Sequence, residues 1–311
     1  MPVRNKTIVI AGGGGFIGRG ICTCFDPSNT IYVLGRGPGK PEGLPSSVRY
    51  TPWDGKSQGA WTRVLDGADV LINLCGKSVN CRYTPANRQA IFDSRTETTE
   101  ALGQAVRGCR LPPKVWINAA SATIYRHAED RPQDEYTGEM GNDFSVQVCK
   151  KWEKTFLDIS LEHTRKVVLR MAIVLGEDSV MQRFRLLVRS GLGGPMGDGR
   201  QMFSWVHIED VARMIEYIVD HPGLSGVYNC AAPGPVTNRA FMHSLRQAMG
   251  RRIGLRTPSW LLAFGARLIG TETELILKSR WVLPTRITEA GFRFRYNELT
   301  EALKAVSLHH G

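Results

Sequence analysis

The stretch TIVIAGGGGFIGRGICTC, residues 7–24, constrains the fold more than any other part of the chain. A short β-branched run ends directly in four glycines, and a helical pattern opens at Phe16. TIYVLGR, residues 30–36, reads as a second strand, so the first 36 residues form a βαβ unit. Gly12, Gly15 and Gly18 stand at the spacing G-x-x-G-x-x-G, between strand and helix. Glycine suits such a turn because the backbone must adopt positive φ and let a pyrophosphate approach without side chains in between. The helix that follows offers its free N–H groups and positive dipole end to the phosphates. The spacing therefore predicts a dinucleotide site in which Gly12, Gly15, Phe16, Ile17 and Gly18 take part.

Further strands and helices alternate behind this unit. SSVRYTPWD reads as a weak third strand, and ADVLINLCG as one buried on both faces. A helix is expected from Thr84 to Arg107, then the strand KVWINAAS, the helix DFSVQVCKKWEKTFLDIS and the strand RKVVLRMAIVLG. This order predicts an α/β protein, a Rossmann-type doubly wound parallel sheet with a smaller, mainly helical C-terminal domain. The expected division is 1–235 and 236–311, with part of a substrate lobe at about 177–205. After Gly176 the regularity decays into the glycine-rich SGLGGPMGDGRQ, read as a functional loop. HIEDVARMIEYIVD is a clear helix with Asp210 near its start, and GVYNCA a further strand.

Composition excludes several classes. Hydrophobic residues make up 42% of the 311 and charged residues 22%, ordinary values for a globular chain. The seven cysteines show no C-x-x-C pairing, which suits reduced thiols inside a cell. TIVIA is too short for a secretory h-region. WLLAFGARLIG, residues 260–270, is too short for a bilayer and carries Arg267. The cytoplasm or an organelle matrix is the expected location, with no membrane partner. The net charge of +11 is dispersed rather than gathered into a basic tract, so no nucleic-acid partner is expected. An anionic small ligand accounts for part of it. No histidines show ligand spacing apart from the terminal His309-His310, so no metal is expected.

Cofactor choice follows from the end of the second strand. NAD enzymes of this architecture place an acid there for the ribose 2′-hydroxyl. Here the strand ends Leu34-Gly35-Arg36. A guanidinium pairs with a 2′-phosphate, which favours NADP(H), with Lys40 nearby to help; the alternative is a solvated loop cation. Asp54 in PWDG either meets the adenine or simply makes a turn.

Together AGGGGFIG, NLCG (Asn73, Leu74, Cys75, Gly76) and ASATIY (Ala120–Tyr125) resemble the short-chain dehydrogenase/reductase superfamily, in its extended, epimerase-like branch. SRTETT, KKWEKT, GDGRQMFSWVHIEDV, YNCAAPGPVTN and WVLPTRITEAGFRF narrow the resemblance. They are similar to atypical NADP-binding epimerase-family proteins with a small C-terminal domain of unknown function, some labelled cell-division-inhibitor-like. The resemblance implies that Asn73, Leu74, Cys75, Gly76 and Ser121 border the cofactor. It implies a catalytic Ser or Thr after the fifth strand, filled by Ser121 with Thr123 close by. It also implies a Tyr-x-x-x-Lys pair on the next helix, whose positions hold Ser145 and Cys149. No tyrosine in the chain has lysine four residues later.

Another group must then supply the proton: Tyr125, Ser145, Cys149 or a water held by Ser121. Lys150 is a further cation close by. Each has a packing alternative, Cys149 as a small buried hydrophobe. Gln201, Trp205 and His207, with Ser204, are the candidate substrate contacts. His207 could equally cap a helix. Arg170 ends an apolar strand and needs either a carboxylate or a ligand anion. The expected function is an NADP(H)-binding reductase or epimerase-like oxidoreductase on an unidentified carbonyl or sugar-nucleotide-like small molecule. The alternative is a non-catalytic NADPH-binding regulatory or interaction protein, related to cell division. A homodimer is compatible with either.

Overall fold

Seven parallel strands form the central sheet of the computed structural model, which describes residues 3–177, 180–258 and 278–307. The strands are β1 (Thr7–Ala11), β2 (Thr30–Gly35), β3 (Arg49–Pro52), β4 (Val70–Asn73), β5 (Val115–Ser121), β6 (Arg165–Met171) and β10 (Gly226–Cys230). Their order is β3-β2-β1-β4-β5-β6-β10. β4 is buried along its whole length and β5 at all but its last residue, which is why both read as continuous apolar runs. The chain winds outward from β1 in one direction through β2 and β3, and in the other through β4, β5 and β6. Such a reversal opens a crevice at the carboxyl ends of the strands flanking it, here β1 and β4.

Local signals position the helices. Helix α1 (Phe16–Cys24) starts straight from the glycine turn with Gly15 as its N-cap. The α2 helix (Pro85–Arg107) has the Thr84 side chain accepting from Asn87 N and a proline in its first turn, and it stops at Gly108. At α3 (Phe144–Asp158) the Asp143 side chain accepts from Val146 N. α2 and α3 cover one face of the sheet through Leu102, Val106, Phe156 and Ile159. On the other face lies α5 (Ile208–Asp220), packed on α1 through Val211, Ile215 and Ile218.

RKVVLRMAIVLG divides in two at Ala172. After β6 the chain turns into β7 (Ile173–Leu175), which leaves the main sheet and pairs with β9 (Trp205–His207). Helix α4 (Val180–Arg189) was hidden by its arginines, although Met181, Phe184, Arg185 and Val188 give a buried stripe at helical spacing. β8 (Met202–Phe203) pairs antiparallel with β11 (Val236–Thr237), ahead of α6 (Asn238–Ala248). Two further helices are α7 (Thr285–Glu289) and α8 (Leu299–Ser307). A second core joins Phe184, Met196, Phe203, Phe241, Leu245 and Leu303. Its contributors lie both within the stretch 177–205 and beyond residue 236. Phe203 and Phe241 stack at 4.0 Å at its centre.

Asp210 does more than start a helix. It is fully buried and accepts from Arg295 N at 2.8 Å and Tyr296 N at 2.9 Å, tying the chain ahead of α8 to α5. WLLAFGARLIG and His309-His310 lie outside the described residues. Among those described, no helix is long and apolar enough to cross a membrane.

Candidate functional site

The glycine turn has three distinct steric jobs. Gly12 has φ +76°, and a Cβ there would stand 3.0 Å from Cys75 N and Leu74 C, so the β1–α1 turn is pressed onto the loop after β4. At Gly18 a Cβ would come within 2.4 Å of Gly13 Cα, which forces a hydrogen side chain for close packing of helix on turn. Gly15 differs. It is exposed, and a Cβ there would meet nothing nearer than Gly12 O at 3.7 Å. Helix α1 has neither a side-chain cap nor an acid in its first turn, so the N-terminal N–H groups of Phe16, Ile17 and Gly18 are offered to an outside anion. Phe16 also lies against Gly176, while Ile17 packs on the sheet core.

At the end of β2, Arg36 is exposed and has no side-chain hydrogen bond or ion pair among the described residues. Its charge reaches Cys75, whose thiol burial pushes up to about 12. Lys40 is not available beside it. Its Nζ donates to the carbonyls of Pro45, Ser46 and Val48 at 2.6, 3.1 and 2.8 Å, which uses all three protons to close the β2–β3 loop. Asp54 is a turn residue, accepting from the N–H groups of Lys56 and Ser57.

The ends of β4 and β5 are held by a buried amide pair. Asn73 Nδ2 donates to Asn118 Oδ1 at 2.8 Å and Thr99 Oγ1 at 3.2 Å, and its Oδ1 accepts from Cys75 N. The Asn73 side chain therefore shapes the loop; the Leu74, Cys75 and Gly76 backbone is what borders the crevice. A Cβ on Gly76 would stand 3.0 Å from Arg95 Cζ, so glycine lets that guanidinium pack beneath the loop. Ser121 is partly exposed at the tip of β5, its Oγ accepting from Thr123 N.

Two of the candidate proton donors are locked in the interior. Tyr125 is buried, donates to Asn229 Oδ1 at 3.0 Å and accepts from Arg170 Nη1 at 3.0 Å; burial raises its phenol despite the Arg170 charge. Arg170 in turn forms a two-point ion pair with Glu153, at 2.8 and 2.7 Å, so its partner is a carboxylate of the chain itself. Cys149 is buried in a cluster with Ile124, Tyr125 and Val146, and burial pushes its thiol up to about 12. Lys150 turns to Gly141 O and Asn142 Oδ1.

The aromatic loop also differs from expectation. Trp205 is fully buried in the second core, and its indole N–H donates to Gly234 O. His207 is the N-cap of α5: its Nδ1 accepts from Glu209 N and its ring lies 4.0 Å from that of Tyr296. Ser204 Oγ joins the loop to residues 280–282. Gln201 donates to Met196 O while its buried Oε1 has no hydrogen-bond partner among the described residues. Trp205 thus packs in the second core and His207 caps a helix, since an alternation of polar and aromatic residues marks a packed strand as readily as a binding loop.

Several contacts at the start of α3 and around Thr123 escaped sequence reading. Tyr83 brings its hydroxyl to 3.3 Å from Ser145 Oγ across 62 positions of sequence. Lys278 Nζ reaches Thr123 O at 3.1 Å and Asp143 Oδ2 at 2.7 Å, and Arg280 Nε reaches Thr123 Oγ1 at 3.2 Å. No local pattern announces such pairs; only the fold brings the segment at 278–283 over the end of β5. A surface groove of about 420 Å³ between α2 and α3, lined by Phe92, Lys150 and Lys154, shares no residue with this crevice. Among the described residues no three metal-ligating side chains cluster.

Residues 8–231 match the NAD dependent epimerase/dehydratase family, and residues 257–306 match a domain of unknown function, DUF1731. The chain is 32% identical over 298 residues to the epimerase family protein YfhF of Bacillus subtilis, covering 95% of this chain and 96% of that one. The crystal structure of the human epimerase family protein SDR39U1, isoform 2, with NADPH is similar at a TM-score of 0.85 and 28% identity, covering 97% of this chain and 99% of that one. A UDP-N-acetylglucosamine 4-epimerase of Methanobrevibacter ruminantium, 17% identical with a TM-score of 0.76, shares the fold.

Proposed function

Because the chain belongs to the NAD dependent epimerase/dehydratase family, we propose that it is an NADP(H)-dependent oxidoreductase of the epimerase type, acting on a carbonyl or sugar-nucleotide-like small molecule. The observation that carries the reading is the pairing of an uncapped α1 N-terminus with the exposed Arg36 at the end of β2, which has no hydrogen-bond or ion-pair partner among the described residues. These groups fit the two anionic parts of NADP(H). The N–H groups of Phe16, Ile17 and Gly18 hold the pyrophosphate, and Arg36 takes the 2′-phosphate through a charge-assisted contact. That the human relative was solved with NADPH supports the same choice. Bound in this way, the nicotinamide supplies or accepts a hydride. The chain's own part is to orient the dinucleotide through the loop at Leu74–Gly76 and to present the Ser121 hydroxyl to a substrate oxygen.

Titrating the protein with NADPH and NADH tests the cofactor. Arg36→Ala should weaken NADPH by about 10- to 100-fold, the worth of one hydrogen-bonded charge pair, and leave NADH unchanged. Equal losses for both nucleotides, or none, would defeat the 2′-phosphate assignment. Single-turnover oxidation of bound NADPH against a panel of carbonyl compounds and nucleotide sugars tests the chemistry. If no compound raises oxidation above the buffer rate, the oxidoreductase reading fails.

A further inference from the structure

A hydride transfer to a carbonyl needs a proton, and Tyr125 and Cys149 are too deeply engaged to give one. One other phenol, Tyr83, reaches Ser145, the position at which the family resemblance implies the catalytic tyrosine. Tyr83 lies directly before the Thr84 cap of α2, half-buried, with its ring edge-on to Phe144 at 4.7 Å. Its carbonyl accepts from Arg88 Nε, which ties its backbone to α2, and Phe144, against its ring, packs in turn on Phe92. Its hydroxyl meets Ser145 Oγ, in the first turn of α3, where either atom can donate.

A cation backs this pair. Arg95 projects from α2, donates to Lys77 O and Ile91 O, and lies over the Trp152 ring at 5.1 Å. Its charge is felt at both Tyr83 and Cys149. Among the described residues no carboxylate pairs with it, whereas the neighbouring Lys278 is already neutralised by Asp143. An ordinary phenol titrates near 10 and is a poor acid–base group at neutral pH, but a desolvated unpaired cation close by favours the phenolate.

The geometry points to Tyr83 as the acid–base residue of the reaction, with Ser145 orienting its hydroxyl and Arg95 stabilising its phenolate. The inference rests on the NADP(H) reading of the glycine turn. In the reducing direction a hydride reaches the carbonyl carbon while the Tyr83 O–H bond breaks and its proton joins the carbonyl oxygen, whose C=O π pair becomes the new O–H bond. The phenolate left behind accepts a hydrogen bond from Ser145 and regains a proton from water. Carbonyl, NADPH and one proton thus become alcohol and NADP+, and oxidation runs the same steps backwards.

The full chain labelled with 13Cζ-tyrosine, its Tyr83 signal assigned through Tyr83→Phe, tests this by NMR titration with and without NADP+. The Tyr83 signal should titrate about one unit or more below 10. Arg95→Gln should return it upward by a similar amount, and Arg95→Lys should hold it low. A Tyr83 that titrates at 10 or above, or that ignores Arg95→Gln, would overturn the assignment. NADPH binding measured on the same unsubstituted sample keeps the two claims apart. Loss of binding defeats the cofactor reading, while normal binding with an ordinary Tyr83 defeats only this inference.

Discussion

Replacing Gly15 by aspartate is expected to abolish NADPH binding while leaving the fold as stable as before. Gly15 is an N-cap with φ −78° and ψ 173°, an extended conformation that any L-residue adopts. A Cβ there enters open space, 3.7 Å from its nearest neighbour. Aspartate is among the best N-cap residues and improves on glycine by a few tenths of a kcal/mol. Its carboxylate would accept the same N–H groups that hold a pyrophosphate, and would repel the phosphates as a like charge. The loss should be at least about 100-fold in Kd, equivalent to about 2.7 kcal/mol. Fluorescence titration with NADPH and a thermal melt of the ligand-free protein read the two effects separately. A variant that still binds tightly would show that the phosphates sit elsewhere. Gly18→Ala gives the contrasting case: its Cβ would collide with Gly13 backbone at 2.4 Å, so stability and binding should fall together.

The second large effect concerns the interior. Glu153→Gln removes the negative partner of Arg170, and both side chains are 6% exposed. Burial pulls the guanidinium's pKa down, but the carboxylate outweighs it and keeps Arg170 charged. Without Glu153 that charge is buried and uncompensated. The expected cost is about 3–5 kcal/mol, which lowers Tm on the order of 10 °C in a chain of this size. The double replacement Glu153→Met with Arg170→Met should recover most of the loss, because apolar residues of similar volume can replace a buried pair at little cost. If Glu153→Gln melts within a degree or two of the unsubstituted protein, the pair does not hold α3 to β6.

Most of the α/β architecture was legible because its signals are local. The helix expected from Thr84 to Arg107 spans Pro85–Arg107, since the Thr84 cap lies directly before the proline and Gly108 directly after the last turn. The buried runs VLIN and VWINAA mark strands covered on both sides. Where the reading went astray, the sequence pattern had two physical meanings. RKVVLRMAIVLG carries apolar residues on both sides of Ala172, so only the departure of β7 toward β9 shows that the strand breaks. In GDGRQMFSWVHIED, polar and aromatic residues suggest a ligand loop, while the fold packs Trp205 in the second core and makes His207 the cap of α5. Lys40 looked available because its acceptors are backbone carbonyls, which leave no trace in side-chain chemistry.

The sequence by itself determined the glycine turn, the order of strands and helices as far as β6, and the absence of an acid after β2. Each depends on φ, side-chain volume or charge over a few consecutive residues, which steric and hydrogen-bonding rules translate directly into backbone. Only the tertiary structure decided which side chains meet. Glu153 rather than a ligand neutralises Arg170, Tyr83 reaches Ser145, and Lys278 comes to Thr123 across 155 positions. The reason is physical: a buried charge or hydroxyl is satisfied by whatever partner the packed strands and helices bring within about 3 Å, and separation along the chain carries no information about that distance.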